Sequence, residues 1–363
     1  MASKSDSDSR YGLILAGGRG TRFWPRSRRT NAKQVLRFFG ERSLIQQTVD
    51  RLRPVLPPER IWVLTNEYLR SEIVRQLPEV PANQILAEPA QRNTAPAIGL
   101  AAHIIHSIDP NAVMGVFPAD HVIGKPREYV RLLRPAFQAA RAGKIVVLGI
   151  QPRWPETGYG YVEFPKGIKP GSLEPAPVRR FLEKPDAAKA RRFVKAGNFS
   201  WNAGMFFWKT GVVLDALREF LPKTSSLLAS LPEFGAKTFA EQLKLTFPLC
   251  ENISIDYAVL ERSKNVVGLL ASDIGWNDVG SWNAVYELHK QDAAANVLRA
   301  DTLVESSTGN YVDASGKLVA LLGVRDLIIV DTPDALLIAD RSRAQQVGDL
   351  VKRLEKSRRD ELL

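Results

Sequence analysis

The sequence predicts an α/β fold in which a doubly wound, mostly parallel sheet is followed by a small C-terminal β domain. Two observations predict the sheet: short apolar runs recur up to about residue 290, and segments with helical periodicity separate them. A third observation predicts the small domain, because the chain beyond residue 291 changes to short β segments with turn signals. The length of 363 residues fits one large domain and one small domain.

The first part of the chain predicts the strands of the sheet. Segment 1–10 is polar, and we expect it to be disordered. YGLILAG, at 11–17, is predicted to be a buried strand, because a short apolar run that ends in glycine is typical of parallel sheets. Further strands are predicted at 60–66, 112–118 and 144–150, with helices at 44–52, 98–106 and 129–142. This alternation implies right-handed crossovers and a Rossmann-like sheet.

From residue 151 the pattern changes to glycine-rich and aromatic segments. We interpret three segments as strands and loops at the edge of the sheet that would bind the substrate, where a substrate lid would lie: GYGYVEF, VRRFLEKP and WNAGMFFW. NVVGLLA, at 265–271, is predicted to be a further strand, and a helix is predicted at 281–290. The large domain is therefore predicted to span residues 11–290.

The small domain is predicted to span residues 291–363. TGN at 308–310 and DASGK at 313–317 are turn signals between alternating strands. The last stretch places Val347, Leu350, Val351 and Leu354 at helical spacing. We therefore predict a small β domain that is capped by a helix.

The composition excludes several classes of protein. Hydrophobic residues make up 45% and charged residues 25%, which is typical of folded globular domains and not of disordered or collagen-like chains. The single cysteine, Cys250, cannot form an internal disulfide, and the polar start lacks the apolar core of a signal peptide. We expect a cytoplasmic protein without a membrane span.

The net charge of +11 is concentrated beside the first strand. Eight basic residues and one acid, Glu41, lie between Arg19 and Arg42. A local concentration of this kind favours a compact phosphate ligand over a nucleic acid. The basic residues of 352–363 alternate with acids, and we interpret them as a solvated helix face.

Three glycines that follow the first strand form a candidate phosphate loop. Gly17, Gly18 and Gly20 would let main-chain N–H groups approach an anion. The spacing matches neither a Walker A loop nor the dinucleotide fingerprint, so the glycines alone are typical of an ordinary turn. Arg22 and Lys33 shift the interpretation toward polyphosphate binding, because they place cationic donors behind the loop.

Two aspartates follow predicted strands at the edge where open α/β sheets bind ligands. Asp120 and Asp278 could share one Mg²⁺, which prefers carboxylate and phosphate oxygens. Alternatively, Asp120 lies in a simple turn and Asp278 only precedes a helix that Ser281 caps. His121 is assigned no role beyond orienting Asp120.

Several motifs together carry a resemblance to a known family. They are LAGGRGTRFWP with AKQ, AEPAQRNTAPA, FPADH, FLEKP, WNAGMF, IDYAVLE and WNDVGSW. In this order they resemble the mannose-1-phosphate guanylyltransferases, or GDP-mannose pyrophosphorylases, from about Tyr11 to Asp340. The resemblance implies a nucleotidyltransferase domain, similar to the GT-A fold, and a β-helix-like C-terminal domain. It also implies a homodimer and partners that are small molecules, not nucleic acids or membranes.

The implied reaction converts GTP and mannose 1-phosphate into GDP-mannose and pyrophosphate by an in-line displacement that depends on Mg²⁺ or another divalent cation. A phosphate monoester has its second pKa near 6, so it is mostly a dianion at neutral pH and needs no general base. The site has to bring two anions together and to stabilise charge on the pyrophosphate that leaves.

The resemblance also implies roles for individual residues. The triphosphate and guanosine would be bound by Leu15, Gly17, Gly18, Gly20, Thr21, Glu88, Asn93 and Thr94. Catalytic roles fall to Arg22, Lys33, Asp120, Lys184 and Asp278, of which Asp120 and Asp278 would hold the metal. The mannose hydroxyls would contact Gly160, Glu183 and Asn202.

One position departs from the family pattern. Ala32 stands where the family has proline before the lysine, so the loop lacks the φ restraint of a proline.

Two other functions remain open. The first alternative is a related sugar-1-phosphate nucleotidyltransferase with another nucleotide or hexose, and the second is a non-catalytic sensor of nucleotide sugars. Some relatives also carry an isomerase domain, for which we expect too little chain after the small β domain.

Overall fold

The structure is a computed structural model, and it describes residues 9–363. Residues 1–8 of the predicted disordered segment lie outside the described residues. Arg10, which that prediction also included, is instead the first residue of a strand, because its main chain pairs with Val113 of a neighbouring strand. The disordered segment was therefore predicted to extend too far.

The first part of the chain alternates strands and helices. Its elements are β1 (Arg10–Leu15), α1 (Leu44–Leu52), β2 (Ile61–Asn66), α2 (Glu67–Gln76), β3 (Ile85–Glu88), α3 (Thr94–Ile108), β4 (Val113–Pro118), β5 (Val122–Ile123), α4 (Pro126–Arg141) and β6 (Ile145–Ile150). The predicted strands at 60–66, 112–118 and 144–150 are confirmed to within a residue at each end. Helix α1 has the predicted bounds, and Ser43 and Gln46 form a capping box at its start.

The middle of the chain adds short strands and helices. These are β7 (Tyr161–Glu163), β8 (Ala176–Pro177), β9 (Arg180–Leu182), α5 (Ala187–Ala196), β10 (Phe199–Lys209), α6 (Thr210–Phe220), α7 (Pro222–Ala229), α8 (Phe239–Thr246), β11 (Val266–Leu270), β12 (Trp276–Asn277) and α9 (Trp282–Leu288). A π-helical turn spans Asp256–Leu260. Ser281 is the N-cap residue of α9, as expected, although its side chain makes no capping hydrogen bond.

The large sheet contains ten strands, most of them in the order β3-β2-β1-β4-β10-β6-β11-β8, while β7 pairs with β10 and β9. Strands β1 to β4 are parallel, and β10 is antiparallel to both of its long neighbours. The mostly parallel sheet is thus confirmed. Chain order reverses at β1, which lies between β2 and β4, so a crevice opens beyond the carboxyl ends of β1 and β4.

Both faces of this sheet are covered. The neighbouring residues Leu13 and Ile14 of β1 are fully buried, and they belong to different apolar clusters on opposite faces. This arrangement explains why the strand is a continuous apolar run in the sequence. Among residues 9–363, no helix has both the length and the apolar character needed to cross a membrane.

The C-terminal domain is a four-stranded sheet followed by a helix. Its elements are β13 (Val297–Glu305), β14 (Tyr311–Leu322), β15 (Leu327–Thr332), β16 (Ala335–Asp340) and α10 (Val347–Lys356). The prediction of a turn between strands at 313–317 is wrong, because β14 continues through this segment. Asp313 pairs with Arg299 and Leu318 pairs with Asp301, so the intervening residues form a bulge, and Gly316 within it has a φ of 76°.

An aromatic cluster joins the two domains. The rings of Phe23 and Trp282 lie 5.4 Å apart, and Trp282 lies 5.6 Å from Tyr311 of β14. Val347 of α10 is buried in the same cluster. The C-terminal domain therefore packs directly against the segment that follows the glycine loop.

Candidate active site

The glycine loop follows β1 at the crevice, and hydrogen bonds from the Gln34 side chain hold its main chain in place. The Gln34 side-chain amide is buried and donates to the main-chain oxygens of Ala16 at 2.6 Å and Gly18 at 3.0 Å. An added Cβ at Gly18 would meet no heavy atom within 4 Å, so the main chain there is open to a ligand. Gln34 belongs to the AKQ motif, but no role was predicted for it.

Gly20 has a different position from the other two glycines. Its φ is 61°, and an added Cβ would lie 2.6 Å from the Cβ of Lys33. The absence of a side chain therefore lets two segments of the loop pack together. Ala32, which precedes Lys33, has a φ of −75°, within the range that a proline would adopt.

A cavity of about 520 Å³ lies beyond the carboxyl ends of β1 and β4. It brings together seven of the predicted residues, namely Leu15, Gly17, Gly18, Glu88, Asn93, Thr94 and Asp120. Gln91 and Asn252, which were not predicted, also line it. Gly20, Thr21, Arg22 and Lys33 are not among its lining residues.

Glu88 is the most perturbed carboxyl group of this cavity. Burial raises its pKa to about 8, and its Oε1 atom is buried without a hydrogen-bond partner among residues 9–363. A buried acceptor without a partner is costly, so this atom is suited to a ligand that brings a donor.

The first turn of α3 forms another wall of the cavity. Asn93, with a φ of 64°, caps the helix, and its Oδ1 accepts from the main-chain N–H of Thr94 at 2.9 Å. The Thr94 hydroxyl oxygen accepts from the main-chain N–H of Ile255 at 2.9 Å. These bonds connect the wall to the segment before the π-helical turn.

Lys33 connects the two predicted metal ligands. Its ammonium donates to Asp120 Oδ2 at 2.8 Å and to the main-chain oxygen of Asp278 at 2.5 Å, and its side chain is only 8% exposed. Burial alone would raise the pKa of Asp120, but the charge and the hydrogen bond of Lys33 outweigh this effect, so the pKa of Asp120 lies below its ordinary value. Asp120 is therefore ionised at neutral pH.

Two further side chains surround this ion pair. The Tyr159 hydroxyl donates to Asp278 Oδ1 at 2.6 Å, and burial, followed by the Asp278 charge, raises the pKa of Tyr159. His121 Nδ1 accepts from the indole of Trp276 at 3.2 Å. Burial lowers the pKa of His121 to about 4, so the ring is neutral next to Asp120.

Arg22 reaches the same region from the glycine loop. Its guanidinium donates to the main-chain oxygen of Gly280 at 3.1 Å, two residues after Asp278. Arg22, Lys33 and Asp278 therefore lie close together although they are distant in sequence.

A second cluster contains the residues predicted to bind the sugar. An added Cβ at Gly160 would lie 2.4 Å from Glu183 Oε2 and 3.3 Å from the Cβ of Asn202. Lys184 pairs with Glu183 at 3.2 Å. The three predicted sugar ligands and Lys184 are thus brought together.

Asp256 belongs to this second cluster and was missed in the sequence analysis. Its Oδ1 accepts from the side-chain amide of Asn202 at 3.0 Å, and burial, followed by the charge of Glu183, raises its pKa to about 7. The IDYAVLE motif contains Asp256 and was the available signal.

The donor set around Lys33 fits a hard cation in its chemistry. Among residues 9–363, no three His, Cys, Asp or Glu side chains cluster as a ready metal centre. Asp120 nevertheless offers a carboxylate oxygen to the Lys33 ammonium, and Asp278, whose main-chain oxygen accepts from the same ammonium, has its carboxylate bound to the Tyr159 hydroxyl. Two carboxylates are a sufficient protein contribution for Mg²⁺ when phosphate oxygens complete its coordination.

Most of the arginines near the glycine loop have partners in the C-terminal domain. Arg26 forms two hydrogen bonds with Asp313, at 2.7 and 3.2 Å. The other pairs are Arg19 with Glu355, Arg28 with Asp334 and Arg29 with Asp360. These four arginines therefore form ion pairs between the two domains, so not all of the positive charge beside the glycine loop is free for a phosphate ligand.

Comparison with known proteins agrees with this geometry. Residues 11–295 match the family described as Nucleotidyl transferase, and residues 302–354 match a MannoseP isomerase/GMP-like beta-helix domain. A mannose-1-phosphate guanylyltransferase of Klebsiella pneumoniae and one of Escherichia coli are each 38% identical over 356 residues, which cover 96% of this chain and 74% of theirs. A crystal structure from Thermus thermophilus, described as a mannose-1-phosphate geranyltransferase, has a TM-score of 0.84 at 32% identity and covers 96% of this chain and 99% of its own.

Proposed function

The chain belongs to the nucleotidyl transferase family and, within it, to the mannose-1-phosphate guanylyltransferase family, and we propose that it transfers GMP from GTP to α-D-mannose 1-phosphate. The observation that carries the proposal is the position of the Lys33–Asp120 ion pair. Asp120 lines the 520 Å³ cavity, and Lys33 links it to the Asp278 loop. Charged groups are thus concentrated at and beside the cavity.

On the nucleotide side, we propose that Leu15, Gly17 and Gly18 receive the nucleoside triphosphate and that Glu88 contacts guanine. Guanine presents adjacent N–H donors, which match the buried, unpartnered oxygen of Glu88. Hydrogen bonds to the ionised form would return the raised pKa of Glu88 toward its ordinary value. Asn93 and Thr94 complete the wall beside the base, while Gly20 and Thr21 act by packing behind the loop.

On the sugar side, we propose that Glu183, Asn202 and the main chain of Gly160 contact the mannose hydroxyls. Lys184 is the adjacent cation for the sugar phosphate, and it is exposed enough to move from Glu183 to a phosphate. The mutual contacts of these residues support a single binding site for a polar sugar.

The reaction is an in-line displacement at the α-phosphorus of GTP. An oxygen of the mannose 1-phosphate dianion forms the new P–O bond, and the bond to the β-phosphate breaks to release pyrophosphate. No side chain has to remove a proton, because the attacking phosphate monoester is already a dianion at neutral pH. Arg22 and Lys33 would stabilise negative charge on the phosphates that leave.

Asp120 and Asp278 are the residues that would hold Mg²⁺, because both offer oxygen ligands beside the phosphates. The bound cation would offset repulsion between the two anionic substrates. Once its bond to Asp120 is broken, the Lys33 ammonium could pair with the pyrophosphate. We therefore propose that Lys33 changes its partner from Asp120 to the pyrophosphate during the cycle.

An assay of pyrophosphate release tests this proposal. We expect release that requires GTP, mannose 1-phosphate and a divalent cation together. UTP, dTTP and glucose 1-phosphate, each offered as a competing substrate, distinguish the related transferases. Binding of GDP-mannose without any turnover would favour the non-catalytic sensor instead.

We also propose a homodimer and a cytoplasmic location. The C-terminal sheet exposes a set of large apolar side chains: Leu303, Leu318, Leu322, Leu336 and Ile338. Large apolar side chains that stay exposed are one sign of a protein interface. Helix α10 contributes little to this exposed surface, since Val347 and Val351 are buried within the chain, although Leu350 is exposed. The free, buried thiol of Cys250 supports a reducing compartment.

A further inference from the structure

A second cavity, of about 410 Å³, lies where the segments around Arg26 and Arg37, helix α2 and the C-terminal sheet meet. It shares no lining residue with the 520 Å³ cavity. Its charged lining consists of Arg26, Arg37, Arg75, Arg299, Glu72 and Asp313. Four guanidinium groups and two carboxylates thus face one concave space.

The two carboxylates neutralise two of the four positive charges. Asp313 accepts two hydrogen bonds from Arg26, at 2.7 and 3.2 Å. Glu72 accepts two from Arg75, at 2.6 and 2.8 Å. Both carboxylates are therefore engaged by guanidinium forks of their own.

The other two guanidinium groups lack a carboxylate partner. Arg299 donates to the main-chain oxygen of Phe38 at 3.1 Å, and no ion pair joins it to a carboxylate in the described part of the chain. Across residues 9–363, Arg37 forms no hydrogen bond and no ion pair. Burial raises the pKa of Glu72, but the hydrogen bonds of Arg75 and Gln76 and the charges of Arg75 and Arg37 lower it, and the net shift is downward. The cavity therefore carries a net charge of about two positive units, obtained from four arginines and two ionised acids.

We propose that this cavity is a binding site for a phosphate dianion. Guanidinium groups bind phosphate through paired N–H donors, and two positive charges in excess match one dianion. The ligand is either inorganic phosphate or the phosphoryl group of a small metabolite, which share this chemistry.

The docking of the two domains does not account for all of the arginines in this cavity. Arg26 donates to Asp313 of the C-terminal domain, and Arg299 of that domain donates to the main-chain oxygen of Phe38. Arg75, by contrast, pairs only within its own helix, with Glu72, as far as the described residues 9–363 show. Arg37 forms no bond across the interface.

The site is placed where its occupant would contact the loop of the active site. Val35 lines the cavity two residues after Lys33, and its main-chain oxygen accepts from Gln76 Nε2 at 3.1 Å. Gln76 lines the same cavity. A bound phosphate would therefore interact with the segments that hold Lys33, without entering the 520 Å³ cavity.

Equilibrium dialysis with radiolabelled inorganic phosphate tests the proposal on the full chain. Saturating GDP-mannose is added to occupy the active site, and chloride holds the ionic strength constant because charge interactions are screened by salt. We expect about one phosphate per chain to remain bound. Hexose 6-phosphate, added as a competitor, distinguishes the two sources: displacement at lower concentration than unlabelled phosphate identifies a phosphorylated metabolite, and weaker displacement identifies the free ion.

Arg37→Ala is the informative variant, because it removes a charge from the cavity without breaking a hydrogen bond. It should weaken phosphate binding about tenfold, as the loss of one charge-assisted contact predicts. Arg131→Ala is the matched control, since Arg131 is also exposed but pairs with Glu128 on α4, away from the cavity. Equal binding by wild type and Arg37→Ala, or complete displacement of phosphate by GDP-mannose, would overturn the proposal.

Discussion

Lys33 Nζ lies 2.8 Å from Asp120 Oδ2 and thereby joins the glycine loop to the carboxyl end of β4. The two residues are 87 positions apart in sequence. The same ammonium contacts the main chain of Asp278. A single charged side chain therefore holds together the three segments on which the proposed reaction depends.

Replacement of Asp120 by asparagine should reduce turnover strongly. The asparagine side chain would keep the shape and one acceptor for Lys33 but would lose the charge proposed to hold the cation. We expect kcat to fall by about 10²-fold or more, which is typical for loss of a group that stabilises transition-state charge. Steady-state pyrophosphate release measures the effect, and circular dichroism reports on the fold.

The control for this experiment is Asp273→Asn. Asp273 precedes β12 and Asp278 follows it, but Asp273 is exposed and, within residues 9–363, pairs only with Lys125 and nearby main chain. Its replacement should leave kcat unchanged. Near-normal turnover of Asp120→Asn would remove Asp120 from the proposed metal site.

Glu88→Gln should change the pH dependence of stability. The folded pKa of about 8 lies above the ordinary value of 4.5, so the folded chain binds this proton more tightly than the unfolded chain. The resulting stability is fully present below about pH 4.5 and is lost as the pH rises through 8. The Tm of the variant, measured by calorimetry, should therefore exceed that of wild type at pH 8.5, and the difference should shrink toward pH 5.

The same variant should bind GTP more weakly, because an amide cannot accept from two adjacent N–H donors as a carboxylate does. Glu67→Gln, at an exposed position of α2, provides the control for both measurements. A Tm difference that does not vary with pH would show that Glu88 has no raised pKa.

Asp256→Asn should affect the sugar substrate and not the nucleotide. Asp256 accepts from Asn202, and an amide in its place would weaken the hydrogen bond that orients Asn202. We expect the KM for mannose 1-phosphate to rise about tenfold, which corresponds to about 1.4 kcal/mol, while the KM for GTP stays constant. Asp215→Asn, at an exposed site of α6, is the control. Equal changes in both KM values would argue against a role at the sugar site.

The Arg26–Asp313 pair should couple the stability of the two domains. A double-mutant cycle with Arg26→Ala and Asp313→Ala should give a coupling energy of about 1 kcal/mol in chemical unfolding. Arg218 and Asp215 are also 2.7 Å apart, but their side chains are 72% and 70% exposed, against 34% and 10% for Arg26 and Asp313. This exposed pair should give about 0.3 kcal/mol. A coupling no larger than that of the exposed pair would contradict a docking role.

The strands were predictable because their signal is local. Strands such as the one predicted at 144–150 are buried on both faces of the sheet, so they are continuous apolar runs in the sequence. The change to polar residues at each end of the run therefore shows where the strand begins and ends. The glycine loop and the two aspartates could be placed at one edge for the same reason, since they follow these runs directly.

Features that depend on distant partners could not be predicted in this way. The arginines beside the glycine loop suggested an anionic ligand, yet Arg26 meets Asp313 only because the C-terminal sheet packs there. The segment 313–317 has the composition of a turn, but its parallel neighbour lets it bulge without reversing the chain. Asp256 meets a predicted sugar ligand through its hydrogen bond with Asn202, which lies 54 residues away.

Transfer of radioactive label from GTP that carries ³²P at its α-phosphate measures the proposed reaction most directly. With mannose 1-phosphate and Mg²⁺ present, the account predicts that the label appears in GDP-mannose and that the pyrophosphate formed in equal amount is unlabelled. Label that stays in GTP, or a product other than GDP-mannose, would contradict guanylyl transfer by this chain.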